Sequence, residues 1–289
     1  MNQDLTRGPV MGSMLRFALP MILGNLLQQC YNIADTLIVG RYLGQGALAA
    51  VGSSFTLMTF LTSILLGLCM GSGAVFSIRF GQRDQNALGE SVSASFVLIG
   101  VLTVALNLLA FALLDWVRVF LRVPGEVWPL MREYLAVIFL GIAATFLYNY
   151  FASFLRSVGN SVIPLLFLGL SAGLNIALDL WFVLGLRRGV AGAAEATVIA
   201  QYVSGVGIAL YALFRAPQLR TLRGTLRLRW SRVREIAGFS ILTCVQQSVM
   251  NLGILMVQGL VNSFGPVVMA AFAAAVKIDA FAYMPVQDF

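Results

Sequence analysis

The sequence predicts an all-α polytopic membrane protein, with a complete six-helix N-terminal lobe and the first two helices of a second lobe that repeats it in parallel. Three observations lead to this fold class. The chain of 289 residues is 59% hydrophobic and only 11% charged, with a mean hydropathy of +0.87. Its apolar runs reach about 20 residues, enough for a helix to cross a hydrocarbon core of about 30 Å. A motif near the N-terminus also returns about 220 residues later.

The apolar runs predict eight helices in order along the chain. We place them over 14–40, 50–77, 92–115, 132–155, 161–185, 192–214 and 235–263, with an eighth beginning near 266. The first run is too long for a cleaved signal peptide and lacks a small-residue cleavage pattern, so we interpret it as a membrane span. Strands of a membrane barrel would be about half as long as these runs.

The arginines predict the orientation, because basic loops stay in the cytoplasm. With a cytoplasmic N-terminus, the inner segments hold Arg7, Arg16, Arg79, Arg83, Arg156, Arg215, Arg220, Arg223, Arg227, Arg229, Arg232 and Arg234. The outer segments hold Arg41, Arg118, Arg122, Arg132, Arg187 and Arg188. The net charge of +7 is therefore mainly a topology signal of a multi-pass protein of the cell membrane. We expect membrane lipids as partners and no nucleic acid.

An internal repeat divides the chain. The stretch "LLQQCYNIADTLIVGRYLGQGALAA" (26–50) is echoed by "CVQQSVMNLGILMVQGLVNSFGPVVMAA" (244–271). The first copy begins in the first helix and the second copy in the seventh, six helices further along, so both cross the membrane in the same direction. We therefore expect a transport lobe over 1–214, a basic cytoplasmic loop over 215–234 and the start of a second lobe over 235–289. Two complete halves need about 440 residues, so we expect a chain truncated in its eighth helix.

Two acids inside predicted spans are the strongest functional signal, because a charge in a bilayer is costly and usually has a use. Asp35 shares a helix face with Tyr31 and Gln28, and Asp179 shares one with Asn175. A hydroxyl from Thr197 and the carbonyl of Ala193, both in the sixth predicted helix, complete an all-oxygen site. Such a site suits Na⁺ or a proton shared between carboxylates. The alternative is that the acids only hydrogen-bond between helices as structural contacts.

Other polar or helix-bending residues have further assignments. Pro20 lies inside the first helix, where its missing N–H permits a bend. Gln28, Tyr31 and Asn149 are assigned to a substrate cavity, with simple packing as the alternative for Gln28 and Tyr31. Lys277 and Asp279 are two residues apart and are interpreted as structural or snorkelling charges.

Enzyme chemistry is not expected. The chain has no His, so proton transfer must rest on carboxylates and no His-based nucleophile system can form. There is no phosphate loop and no Cys/His spacing of the kind that binds metal. Cys30, Cys69 and Cys244 lie in apolar helices and are interpreted as small core residues. We expect no cofactor beyond a coupling ion, Na⁺ or H⁺.

Several motifs in order resemble the multidrug and toxic compound extrusion (MATE) family. They are "FALPMILGNLLQQCYNIADTLIVGRYLGQGALAAVG" (17–52), "RFGQRDQNAL" (79–88), "FLRSVGNSVIPLL" (154–166), "LNIALDLWFVLGL" (174–186) and "GVAGAAEATVIAQ" (189–201). The resemblance implies a monomeric transporter of twelve helices in two lobes, which exports cationic, amphipathic compounds in exchange for inward-moving Na⁺ or H⁺.

The same resemblance implies a cation site in the N-terminal lobe and a bend at the position of Pro20. The residues that match this site are Asp35, Asn175, Asp179, Thr197 and Ala193. The seventh helix, "CVQQSVMNLGILMVQ" (244–258), has no acid, which departs from one branch of the family and does not support a second cation site.

Two alternatives remain open from the sequence. One is a flippase of the same superfamily that moves lipid-linked oligosaccharides, whose anionic cargo would favour basic residues in the cavity. The other is a receptor or assembly scaffold that binds a ligand without moving it. Flux into sealed vesicles distinguishes both from a drug exporter.

Overall fold

The computed structural model describes residues 10–216 and 230–287. Their regular secondary structure is entirely helical, which confirms the predicted all-α class. The helices are α1 (Val10–Tyr42), α2 (Gln45–Gly81), α3 (Gln85–Ala112), α4 (Leu114–Phe120), α5 (Trp128–Ser157), α6 (Val162–Gly185), α7 (Gly189–Arg215), α8 (Trp230–Asn262) and α9 (Pro266–Gln287). A 3₁₀ turn over Phe139–Gly141 interrupts α5, and the last six residues of α6, Leu180–Gly185, form a π-helix. Most of the predicted basic loop, 217–229, lies outside the described residues, as does the side chain of Lys277.

Six helices of the described chain, α2, α3 and α5 to α8, are long and apolar enough to cross a membrane. The predicted first span corresponds to α1, which is a helix of 33 residues but is not among these six. Polar side chains at Asn25, Gln28, Gln29 and Asn32 account for its lower hydropathy. In α9 the apolar part, Pro266–Val276, is shorter than a span.

The predicted helix boundaries need correction where polar residues begin or end a helix. The second helix begins at Gln45 rather than 50, and the third begins at Gln85 rather than 92. Asp84 caps α3, because its carboxylate accepts a hydrogen bond from the Ala87 N–H at 2.9 Å. The third helix also ends earlier than predicted, at Ala112, and the short α4 follows it. Hydropathy locates a span but does not detect these polar caps.

Two glycine turns have the same geometry. Gly44 precedes α2 with φ of +87°, and Gly265 precedes α9 with φ of +91°. Side chains rarely tolerate this left-handed region, so glycine suits both positions. Each glycine carbonyl accepts a hydrogen bond 3.1 Å long from an N–H four residues later, that of Leu48 or Met269. The helices before the two turns, α1 and α8, are each 33 residues long.

Helix α2 lies at the centre of the fold and packs closely against α8. Small residues permit the approach: a Cβ added at Gly67 would lie 2.5 Å from Cys244 Cα, and one at Gly71 would lie 2.5 Å from Ser240 Cα. Glycines four residues apart let two membrane helices meet backbone to backbone. On the other side of the fold, α7 packs on α5 and α6, and α1 packs on α6.

Two ion pairs join α8 to α2 and α3 at the end of the helices that the arginine pattern assigns to the cytoplasm. Arg79 in α2 pairs with Glu235 at 2.5 Å, and Arg232 pairs with Glu90 in α3 at 3.3 Å. All four side chains are only partly exposed. The start of α8 is therefore tied to the helices before it by charge as well as by close packing.

We expect Gly71→Ala to lower the free energy of unfolding by about 1–3 kcal/mol, because the added methyl group would push α8 away from α2. The control is Gly81→Ala in the same helix, where an added Cβ meets nothing within 4 Å. Thermal unfolding of the natural protein in detergent measures both. Equal stability of the two variants would show that the close approach of α2 and α8 is not limited by this glycine.

Candidate cation site

Asp35 and Asp179 come together because α1 packs against α6. Asp35 is 8% exposed and Asp179 is fully buried. The two carboxyl groups are close enough to interact electrostatically. Two acids that lie far apart in the sequence are therefore buried near each other.

Asn175 and Thr197 form the second part of the site, between α6 and α7. The Asn175 side-chain N–H donates to the Thr197 hydroxyl at 3.1 Å, and that hydroxyl donates to the Ala193 carbonyl at 3.1 Å. Asn175 is 2% exposed. The hydrogen bond to Thr197 fixes the orientation of the Asn175 amide, because its nitrogen faces α7 and its oxygen must point elsewhere.

Three oxygen atoms on one face of α6 are buried without a hydrogen-bond partner among the described residues. They are Oδ1 of Asn175 and both carboxylate oxygens of Asp179, one helical turn further along. A buried polar atom without a partner is costly, and a buried carboxylate is more costly still. These atoms are acceptors, so they fit a proton or a hard cation, which prefers oxygen ligands.

The donor set distinguishes this site from a transition-metal centre. Within the described ranges, no group of three or more His, Cys, Asp or Glu side chains could hold a metal ion. The polar groups nearby are an amide, a hydroxyl and a carbonyl, so the available donors are oxygen atoms. Oxygen atoms suit hard cations better than transition metals.

Asp179 also marks a change in helix type. It is the last α-helical residue of α6, and the π-helix Leu180–Gly185 begins immediately after it. Short π segments occur often at functional sites. Beyond this segment Arg188, directly before α7, pairs with Glu195 of α7 at 2.7 Å.

Tyrosines surround the two acids. Tyr31 of α1 lies within electrostatic range of Asp35 and Asp179, and its hydroxyl interacts with Gln28. Tyr134 of α5 also lies near both acids and is 6% exposed. Tyr134 was not among the predicted site residues, although a tyrosine inside a predicted apolar span could have indicated a polar site there. Three helices, α1, α5 and α6, thus contribute to the surroundings of the acids.

The remaining predicted residues lie outside this polar core. Gln28 is exposed, and Asn149 is half-buried with its side-chain N–H donating to the Thr145 carbonyl of its own helix at 2.9 Å. Pro20 lies within α1, which is one helix across that position. Asp279 is exposed.

The chain is similar in sequence to known transport proteins over most of its length. The MatE family model matches residues 20–181. The chain is 31% identical to a probable multidrug resistance protein YpnP of Bacillus subtilis, over 98% of this chain and 63% of that protein. It is 28% identical to a probable multidrug resistance protein NorM of Thermotoga maritima, over 94% of this chain and 59% of that protein. The chain therefore spans less than two thirds of the length of these relatives.

Solved structures give the same likeness. An outward-facing multidrug resistance MATE transporter matches with a TM-score of 0.86 and 28% identity, over 99% of this chain and 63% of that chain. An inward-facing MATE transporter matches with a TM-score of 0.83 and 26% identity, over 96% of this chain and 63% of that chain. Both of these transporters belong to the MOP superfamily.

We expect Asp179→Asn to raise the free energy of unfolding by about 1–3 kcal/mol in Na⁺-free buffer at alkaline pH, because it removes a buried charge that faces Asp35. Addition of Na⁺, or acidification, should raise the unfolding temperature of the unchanged protein more than that of the variant. Thermal unfolding in detergent measures both effects. The control is Asp115→Asn, whose carboxylate is largely exposed beside Arg132. A variant less stable than the unchanged protein would show that Asp179 makes a net stabilising contact.

Proposed function

The chain belongs to the MatE family, and from this premise we propose that the protein is a secondary active antiporter. It exports cationic, amphipathic compounds in exchange for Na⁺ or H⁺ that moves inward. The observation that carries the proposal is the buried pair Asp35 and Asp179 beside the unpartnered oxygen of Asn175. A purely structural contact would not need two acids, because neutral Asn or Ser can make the same hydrogen bonds between helices.

Occupancy of the pair by an ion is the coupling step. Without an ion, the carboxylates favour a conformation in which α1 leaves them access to water. With an ion bound, the neutralised pair favours a drier and more tightly packed arrangement of α1 against α6. An ion can shift the balance between two conformations only if it binds one of them more tightly, and the buried acids supply that difference. Pro20 supplies the bend in α1.

The membrane potential supplies energy for the exchange. An inward-moving positive charge gains about 2.3 kcal/mol per 100 mV, which for one ion corresponds to about fifty-fold accumulation of a neutral substrate. A cationic substrate moving outward opposes part of that gain. Each exchange therefore has to move more positive charge inward with the ions than outward with the substrate for the membrane potential to drive it.

The substrate class follows from the surroundings of the acids. Gln28, Tyr31 and Asn149 line the proposed substrate cavity, with Tyr134 behind the acids. Aromatic faces and carboxylates both attract organic cations. A cationic compound and the coupling ion would compete for the same negative charge, which links release of one to binding of the other. The two multidrug resistance relatives support this class of substrate.

The proposed arrangement has an N-terminal lobe over 1–214, a basic cytoplasmic loop over 215–234 and the start of a second, parallel lobe over 235–289. The N-terminus is cytoplasmic, and the transporter lies as a monomer in the cell membrane among lipids. The matching turns at Gly44 and Gly265 support the parallel repeat. The likeness to both outward-facing and inward-facing transporters supports movement between two such states.

Transport by the natural protein in sealed proteoliposomes tests the proposal. Ethidium is the probe, and a Na⁺ gradient and a pH gradient are imposed separately. We expect one of the two gradients to drive ethidium movement, and Asp35→Asn to reduce the driven flux to that of empty vesicles, because the neutral side chain no longer exchanges charge with the ion.

The control for this experiment is Asp115→Asn, which removes an acid from an exposed ion pair with Arg132. Its driven flux should match that of the unchanged protein. Wild-type flux in Asp35→Asn would contradict the coupling role. Ethidium binding without flux under either gradient would favour a receptor or scaffold instead.

A further inference from the structure

A second buried polar cluster joins α2 to α8, away from the cation site. We call this cluster the outer network. It consists of Ser53, Thr56, Gln258 and Asn262. Its members are between 0% and 5% exposed, although they lie between two helices that are apolar over most of their length. Polar side chains buried in this way are costly unless they are hydrogen-bonded to one another.

The hydrogen bonds of the outer network form a connected chain. Ser53 donates to Oδ1 of Asn262 at 3.0 Å, and Thr56 donates to Oε1 of Gln258 at 3.1 Å. Gln258 donates through Nε2 to Oδ1 of Asn262 at 2.8 Å and lies 3.0 Å from the Ser53 hydroxyl. Asn262 donates through Nδ2 to the carbonyl of Leu121, directly after α4, at 2.8 Å. Three separate elements, α2, α8 and the end of α4, are held together here.

The outer network lies at the opposite end of the α2–α8 interface from the ion pairs of Arg79 and Arg232. Ser53 is two helical turns from the first residue of α2, and Asn262 is the last residue of α8. The arginine pattern assigns this end of the helices to the outer side of the membrane. Beside it, a Cβ at Gly52 would collide with Ala273 of α9, so no space remains between α2 and α9.

The inner half of the interface is built differently. Gly67 and Gly71 meet the backbone of α8 directly, and the Ser72 and Ser240 hydroxyls are 3.0 Å apart. Backbone contact of this kind resists separation, because it depends on many van der Waals contacts at once. In the outer half, a few hydrogen bonds between side chains make the contact. Such bonds between membrane helices are individually weak and break at small cost.

Polar side chains suit a helix surface that is in contact with another helix in one conformation and with water in another. If α2 and α8 separate toward the outside, the amides and hydroxyls of the outer network exchange their partners for water. An apolar interface would instead expose hydrophobic surface to the opened cleft. The polar groups of the outer network therefore have hydrogen-bond partners whether α2 and α8 are together or apart.

We propose that the outer network is a latch, which holds the outer side closed and breaks when the outer side opens for release. The inner glycine contact, at Gly67 and Gly71, is the pivot about which α8 moves during this opening of the outer side. This inference rests on the proposed export by alternating access and adds the specific contacts that control it. The latch consists of residues that lie apart from the cation site, so its role can be tested without altering Asp35 or Asp179.

Distances between spin labels on α2 and α8 test the latch in the natural protein, with Cys30, Cys69 and Cys244 changed to alanine. An outer pair is placed at Gln45→Cys and Ser263→Cys, and an inner pair at Ser77→Cys and Arg234→Cys; all four positions are exposed. We expect Asn262→Leu to increase the ratio of open to closed outer distances by about five-fold, because it removes two or more weak bonds. The inner distance should stay unchanged.

Two further variants show whether the change in the outer distance comes from the outer network alone. Ser53→Ala removes one hydroxyl with little change in volume and should shift the outer distance in the same direction, by less than Asn262→Leu. Ser240→Ala removes a hydroxyl at the pivot and should leave the outer distance as it is in the unchanged protein. Retention of the monodisperse elution profile shows that each variant is folded.

The outcomes separate the latch from the proposed function. Outer distances that match the unchanged protein in both Asn262→Leu and Ser53→Ala would overturn the latch, even if ion-driven ethidium export is intact. A shift of the same size in Ser240→Ala would also overturn it, because the effect would then not be specific to the outer network. If the outer distance shifts as expected but no gradient drives ethidium flux, the latch holds and the exchange function fails.

Discussion

The cost of a buried carboxylate is the constraint on which the rest of the structure depends. Asp179 is fully buried beside Asp35, and both of its oxygens lack hydrogen-bond partners among the described residues. In a low-dielectric interior such a pair is tolerated only when a proton, a cation or water compensates its charge. The packing of α1 on α6 and the bond from Asn175 to Thr197 enclose the acids. The proposed coupling ion supplies the compensating charge.

The α1–α6 interface and the α2–α8 interface differ in the side chains that they bury. The interface of α1 with α6 carries the two acids, and in the proposed exchange its packing depends on what they bind. The interface of α2 with α8 carries no acid between its outer and inner ends. It has close backbone contact at its inner glycines and hydrogen-bonded side chains at its outer end. Helix α1, which carries Asp35, is joined by the short turn at Gly44 to α2, which carries Ser53 of the outer network.

Much of this could be predicted from the sequence, and the failures have a common physical cause. Hydropathy located the spans, and the i, i+4 spacing of Asn175 and Asp179 placed them on one face, as the structure has them. Tyr134, the π-helix after Asp179 and the partners of Gln258 were missed. Each of these features depends on contacts between distant segments or on a local change in helix type. Composition and hydrophobic periodicity do not predict either of them. Helix ends such as Asp84 were also misplaced, since a cap lies outside the apolar run.

The central claim, that occupancy of the acids sets the position of α1, is tested most directly by the distance between spin labels on α1 and α6. The labels are read in the natural protein with and without Na⁺ and from about pH 5 to 8, a range in which folded proteins are usually most stable. The claim predicts a distance that changes with one of these ions in the unchanged protein and stays constant in Asp35→Asn. A distance that ignores both ions in the unchanged protein would contradict it and leave the two acids as structural contacts.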